Sequence, residues 1–486
     1  MTNPDLTKSL QLWKEYGQFV LMAMPYDDNV IVAANGCTVV DADGNEFLDL
    51  TSGQFCAVLG HNHPKLVERL REQGEKVLHT SSNQMSLTVM ETAAKLAAVA
   101  PGDLKKSLFL STGSEANECA LRIAKTVTKK SGIVGLSQGY YGITLATRNA
   151  GIGFGKGPAA SPAVPDTFRL LTPYCLRCPV GAKYPDCDFL CLKTSEALLQ
   201  TQVENVAAFI VEPILSAGGM IVPPEGYVQR LSELARKYDA LLIADEAQTG
   251  FGRTGKWFGM EQHGVTPDII TICKNAGGGF PVSGVMTTEA VTKKLAARGF
   301  YHLSSHQADP LGAAALGAVI DTIREENLVE QAAQKGRYFK DRLLELKAKW
   351  PVIADVRGMG LMLGVEFVKD PATLEPAEDM GRALRRLCFR KGVHLNYTIL
   401  GQVLRITPPL TITKVQIDYA VTVLDGAIAD ALSGAHNVEE MAPANPYTRS
   451  LLKRSWRRTY ANYIEKLWQS SPQQVIRTVR RKMGRE

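Results

Sequence analysis

The stretch Ala240-Leu-Leu-Ile-Ala-Asp245-Glu-Ala-Gln248 constrains this chain more than any other. An apolar run that closes on a carboxylate reads as a buried strand delivering an acid to its C-terminal end. An ionised carboxylate is costly there unless a cation meets it. A second run of the same form, Pro267-Asp-Ile-Ile-Thr-Ile-Cys273, ends on Lys274, 29 residues beyond Asp245. An acid and an amine at buried strand ends are the apparatus of Schiff-base chemistry, in which a lysine carries an aldehyde cofactor and the acid pairs with its ring nitrogen. A structural ion pair at a sheet edge is the competing reading, and two residues alone do not separate the two.

At 486 residues the chain exceeds one ordinary core, so a large domain with a smaller companion is expected. A composition of 45% hydrophobic and 21% charged residues fits a soluble globular protein. No window reaches 18 consecutive apolar residues, and the opening Met1-Thr-Asn-Pro-Asp-Leu-Thr-Lys8 lacks the form of a signal peptide, so a cytoplasmic location is expected. Residues 448–486 hold 11 Lys and Arg against two Glu, a surplus of +9 within a chain total of +6, so the remainder carries −3. The basicity belongs to the tail, and no nucleic-acid partner is expected for the body. Nine cysteines, an odd number, argue against a secreted disulfide framework.

Apolar runs at Ser107–Leu110, Ile133–Ser137, Val206–Glu212, Ala240–Asp245, Pro267–Cys273 and Val282–Met286 alternate with helical patterns. This predicts an α/β fold with a largely parallel sheet and ligands at the strand C-termini. From Leu328 the pattern changes to one charged helix reaching Trp350. Strands at Val352–Gly364 and around Arg405 follow, with helices at Asp379–Lys391 and Thr413–Leu432, which fits a smaller α+β domain. Near the start, Pro4–Pro25 has helical spacing and Asp41-Ala-Asp-Gly44 is the turn of a hairpin. The expected organisation is therefore an N-terminal segment, 1–50, contributing to the small domain. A large domain over 51–325 carries a cysteine-rich insert at 174–191, and a small C-terminal domain over 326–432 precedes an extension over 433–486. Gly151-Ile-Gly-Phe-Gly155-Lys156-Gly157 fails the spacing of a nucleotide-binding loop and reads as a flexible loop.

Several motifs add chemistry. Thr112, Gly113 and Ser114 lie where the first free N–H groups of a helix point outward, which makes a phosphate cup; an ordinary N-cap is the alternative. Tyr140, at a strand end beside that cup, can stack on a cofactor ring or serve the core. Glu212 ends another buried strand, and Thr51-Ser-Gly-Gln54 is a loop where a polar side chain approaches a ligand. Ser304-Ser305-His306 offers hydroxyls for a second grip on phosphate. Arg405, at a strand edge, could fork onto a carboxylate or be a surface arginine. His61 and His63 read as loop and helix entry in preference to a metal site, having no further ligands nearby.

Cys175, Cys178, Cys187 and Cys191 are spaced C-x2-C-x8-C-x3-C, which could close a structural zinc site; reduced or disulfide-paired packing is preferred, because the middle gap is short. In the tail, Leu452, Trp456, Tyr460, Tyr463, Leu467 and Trp468 share one helix face opposite Lys453, Arg454, Arg457 and Arg458. Such a helix can lie on an anionic membrane or dock on a partner, although packing against its own dimer is preferred.

With these residues in hand, the chain over residues 10–432 resembles the class III aminotransferases, pyridoxal-phosphate enzymes of fold type I. Within that family the dialkylglycine decarboxylases share stretches like Thr51-Ser-Gly-Gln54, Ser111-Thr-Gly113, Glu212-Pro-Ile-Leu-Ser216, Asp245-Glu-Ala-Gln248-Thr-Gly250 and Arg405-Ile-Thr-Pro-Pro409. The resemblance implies that Lys274 holds the cofactor and shuttles a proton, Asp245 keeps the ring nitrogen protonated, and Gln248 bonds the ring oxygen. It also implies that Gly113 and Ser114 take the phosphate with Ser305 of a second subunit, in a homodimer or dimer of dimers. Tyr140 would stack on the ring, and Arg405 and Gln54 would hold the substrate carboxylate. Tyr141 stands where family members usually carry His. Tyr140 and Ala217 replace the decarboxylases' Trp and Ser, and the cysteine-rich insert and the tail have no counterpart there.

The implied reaction moves an amino group from an amine or amino acid to a 2-oxo acid. Decarboxylation-dependent transamination is the alternative, because only a bond perpendicular to the ring plane breaks, and Gln54 and Arg405 would place different bonds there. Aminomutase or lyase chemistry is a minor further outcome. A non-catalytic protein that keeps the fold and acts through its basic tail is the reading of another class.

Overall fold

Strands buried on both faces and ending at a common edge form the centre of the molecule. A computed structural model describes residues 7–152 and 164–433. Nearly all of the loop Gly151–Gly157 and of the amphipathic tail therefore lies outside the described residues.

In chain order the first three strands, β1 (Ile31–Asn35), β2 (Thr38–Asp41) and β3 (Glu46–Asp49), form the expected hairpin and its neighbour. The next seven are β4 (Lys106–Leu110), β5 (Gly132–Leu136), β6 (Thr167–Leu170), β7 (Val206–Val211), β8 (Leu241–Asp245), β9 (Ile269–Ile272) and β10 (Ser283–Thr287). They make one sheet in the order β4-β10-β9-β8-β7-β5-β6. All but β10 run in one direction, because each is linked to the next by a helical crossover. β10 is antiparallel to both neighbours. The chain reaches it from β9 through the tight turn Lys274–Gly279, where Lys274, Gly278 and Gly279 take φ of 37°, 60° and 114°. The reversed strand is thus what puts Lys274 on a turn at the sheet edge.

Helices cover both faces. Gly113–Thr128 and Pro310–Glu325 bury eight and twelve residues respectively, enough to close the sheet from water. The long helix Leu328–Lys349 leads to β11 (Ile353–Met359), β12 (Met362–Asp370) and β13 (Glu375–Pro376), then β14 (Val393–His394), β15 (Asn396–Tyr397) and β16 (Val403–Ile406). A second sheet runs β11-β12-β16-β15 with β13 on β12. β14 pairs parallel with β3, His394 opposite Asp49, so the N-terminal hairpin and the C-terminal segment share a third sheet. No helix among the described residues is long and apolar enough to cross a membrane.

Candidate active site

Asp245 is the last residue of β8 and lies opposite Thr271 of β9, so Lys274 follows three residues later at the same edge. The carboxylate is 5% exposed and held at both oxygens: Asn117 Nδ2 donates to Oδ2 at 2.8 Å and the Ala247 N–H to Oδ1 at 3.0 Å. Burial pushes its pKa up, and the nearby Lys274 charge pulls the other way. Asn117 is itself fixed, accepting from Thr271 Oγ1 at 2.6 Å and donating to the Tyr141 carbonyl at 2.7 Å. Asn117 belongs to none of the motifs legible in the sequence. The available signal was its place one turn beyond Gly113, on the helix face that meets the sheet.

Thr112 caps that helix, its Oγ1 accepting from Glu115 N, so the N-cap reading holds for its side chain. Ser114 Oγ accepts from the Ile143 N–H at 3.1 Å. Gly113 marks a close approach: a Cβ there would stand 3.3 Å from Cys273 Sγ, which brings the helix N-terminus against the residue preceding Lys274. Ser305 lies on an exposed turn, and no bond among the described residues links it to this cup.

Glu212, 3% exposed, accepts from the Tyr140 N–H at 2.7 Å and the Ser216 N–H at 3.2 Å. Burial, reinforced by Asp245, pushes its pKa up to about 8, so at neutral pH it is largely protonated. Gln248 Oε1 and Arg405 Nε are among the buried polar atoms that have no partner among the described residues. Arg405 is partly buried with its guanidinium 5.5 Å from the Phe55 ring centroid, and no carboxylate among the described residues comes within 4.0 Å of it. An enclosed arginine fork without a counter-ion and an enclosed amide oxygen without a donor are groups that a polar ligand satisfies.

Gln54 stands on an unusual turn. Ser52, Gly53, Gln54 and Phe55 all have positive φ, at 48°, 51°, 65° and 71°. Left-handed backbone costs roughly 1–2 kcal/mol for each of the three non-glycine residues. Gln54 is exposed, and its Oε1 accepts from Asn396 Nδ2 at 3.2 Å.

His61 Nε2 bonds Asp49 at 2.9 Å, and His63 stands at the N-cap position of the helix Pro64–Lys76 without a side-chain capping bond. The four thiols of the cysteine-rich insert line one small cavity and none is in a disulfide. They do not form a cage of ligands: among the described residues only His79, His306 and Asp309 bring three possible metal-ligating atoms within 4.8 Å of one another. The insert is held instead by Tyr174 and Arg177, which bond the fully buried Glu366 of β12.

Comparison with known proteins follows the same lines. Residues 22–428 match the family described as aminotransferase class III. The chain is 36% identical over 413 residues to a leucine/methionine racemase of Thermococcus litoralis, spanning 84% of this chain and 92% of that protein. It is 36% identical over 415 residues to an acetylornithine aminotransferase of Methanothermobacter thermautotrophicus, spanning 85% and 97%. Among solved structures, an (S)-enantioselective omega-transaminase from Thermomicrobium roseum superposes with a TM-score of 0.80 at 32% identity, over 88% of this chain and 99% of that one.

Proposed function

The chain belongs to the class III aminotransferases, which use pyridoxal phosphate on the type I fold, and we propose that it moves an amino group from an amine or amino acid to a 2-oxo acid with Lys274 as the catalytic base. The observation that carries this reading is the convergence of three features at one sheet edge: the Lys274 turn, the buried Asp245 carboxylate and the N-terminus of the helix beginning at Gly113.

The residues fit the cofactor. A helix N-terminus with a glycine at its first position suits a phosphate. Asp245, oriented by Asn117 and lacking a hydrogen-bonded cation, suits a protonated ring nitrogen. Gln248 Oε1 would supply the acceptor that a ring hydroxyl needs, and Tyr140, whose N–H is bonded to Glu212, would stack its ring on the cofactor. Bound pyridoxal phosphate supplies an electron sink for the carbon that bears the amine. Lys274 Nζ would be the group that takes up the proton from that carbon and gives it back. Glu212 is engaged by two N–H groups and makes no ion pair with Arg405, so the Arg405 fork would be open to a substrate carboxylate.

The decarboxylating alternative draws on one observation. Asn396 occupies Gln54 Oε1, which leaves the Gln54 amide N–H2 as a donor toward an acceptor such as a second carboxylate position. A reading as a non-catalytic binding protein has the intact Lys274, Asp245 and cup against it.

Residues 51–325 would form the cofactor domain, with 1–50 and 326–432 forming the small one. A homodimer would complete the cup through Ser305. The reaction is tested by mixing the yellow holoenzyme with amino acids and amines in turn, following loss of the cofactor's visible band and recovery of the matching oxo product. Release of CO2 from 2-aminoisobutyrate would select the decarboxylating route. A panel that leaves the band unchanged, including 2-aminoisobutyrate, would refute both.

A further inference from the structure

The left-handed turn that carries Gln54 is fastened to a single carboxylate. Asp49 Oδ1 accepts from the Thr51 N–H at 2.8 Å and from Thr51 Oγ1 at 2.6 Å, while Oδ2 accepts from the Gly53 N–H at 2.9 Å. The same two oxygens meet His61 Nε2 at 2.9 Å and His394 Nδ1 at 3.4 Å. Asp49 is 1% exposed, so every partner is a protein group. Four left-handed residues in succession do not hold themselves: such backbone visits that region as single residues. Further fastenings are the backbone bonds from the Phe55 N–H to the Thr51 carbonyl and from the Ala57 N–H to the Ser52 carbonyl, both 2.8 Å, and Ser52 Oγ, which donates to the Thr407 carbonyl at 2.6 Å and accepts from Arg253 Nη2 at 3.3 Å.

What the turn presents is two groups on one substrate function. Gln54 extends toward Asn396, and Phe55 places its ring under the Arg405 guanidinium. His394 and Asn396 come from the adjoining strands β14 and β15, so the segment that grips Asp49 also fixes the amide of Gln54.

We propose that Asp49 is a positioning residue for substrate carboxylate recognition: with His61 and His394 it holds the Ser52–Phe55 turn, and so sets Gln54 and the Arg405–Phe55 pair at the distance a carboxylate requires. This rests on the transaminase reading above. Asp49 touches neither substrate nor cofactor; it acts through the turn.

The substrate being unidentified, the probes are aminooxyacetate and methoxyamine, which both capture a lysine-bound aldehyde cofactor and differ in carrying or lacking a carboxylate. Wild type should react faster with aminooxyacetate. Asp49→Asn and His61→Gln, each loaded with cofactor, should lose that preference by about tenfold or more, as Gln54→Ala also should, while the methoxyamine rate changes less than about twofold. If Asp49→Asn does not fold, His61→Gln decides alone. A loaded variant that keeps the preference, or slows equally with both probes, overturns the proposal. A wild type that reacts with neither probe refutes the transaminase reading instead.

Discussion

Asn117 Nδ2 lies 2.8 Å from Asp245 Oδ2, both residues buried, joining the helix Gly113–Thr128 to the strand end that carries the acid. The same amide group also bonds the Tyr141 carbonyl, so one side chain registers three elements. Removing it leaves Asp245 buried with only the Ala247 N–H as a close donor. Asn117→Ala should weaken cofactor retention about tenfold or more, corresponding to the roughly 1.5–3 kcal/mol of a hydrogen bond to a charged group. Asn117→Asp should do worse, because it sets a second carboxylate against Asp245. Equilibrium dialysis of the cofactor checks both.

Glu212 makes a prediction with a definite sign. Its pKa in the folded protein is about 8 against an ordinary 4.5, so between those values the folded state holds a proton that the unfolded chain releases. Stability therefore falls as pH rises through that window, by at most about 1.4 kcal/mol per pH unit from this group. Urea unfolding of cofactor-free Glu212→Gln at pH 5 to 8 should show a shallower decline than wild type. Glu246, raised to about 7 by burial, keeps a residual slope of the same sign.

Asp49 has the opposite sign. Burial alone would raise its pKa, but the bonds from His394 and His61 hold it well below the ordinary carboxylate value of 3.8. Its contribution is present above that value and is lost as pH falls below it. Acid unfolding of Asp49→Asn should accordingly depend less on pH in the range below about 4 than that of wild type.

The cysteine-rich insert should not depend on metal. Glu366 is buried against Arg177 and Arg357, with Tyr174 Oη donating to it. Chelator treatment should leave the thermal transition in place. Glu366→Gln should lower stability by roughly 3–5 kcal/mol, the cost of unpairing a buried charge. Metal analysis of the purified protein alongside calorimetry checks the pair of outcomes.

The elements that announce themselves in this sequence are those set by local pattern. The acid and lysine at strand ends, the helix cap at Thr112 and the long helix from Leu328 all follow from apolar periodicity and capping chemistry. What stayed hidden depends on pairing across the chain. The reversal of β10 follows from a turn too short for a crossover, which periodicity does not report. The left-handed turn at Ser52–Phe55 carries no sequence signal because three of its residues have side chains that disfavour it, and the neighbouring Asp49 that bonds it is in turn met by His61 and, from far along the chain, by His394. Glu212 read as one more acid at a strand end, yet enclosure and the neighbouring Asp245 leave it protonated. The spacing of the four cysteines left zinc as the less favoured reading beside reduced or disulfide-paired packing; the thiols line one small cavity, but no three of them lie within 4.8 Å of one another, a distance that spacing alone does not report.

The most direct test is borohydride reduction of the purified yellow holoenzyme followed by peptide mapping. Loss of the visible band, with the pyridoxyl mass on the peptide that contains Lys274 and its absence from Lys274→Ala, is the expected result. A colourless protein, or a label on any other lysine, would contradict the assignment of Lys274 as the cofactor-bearing amine.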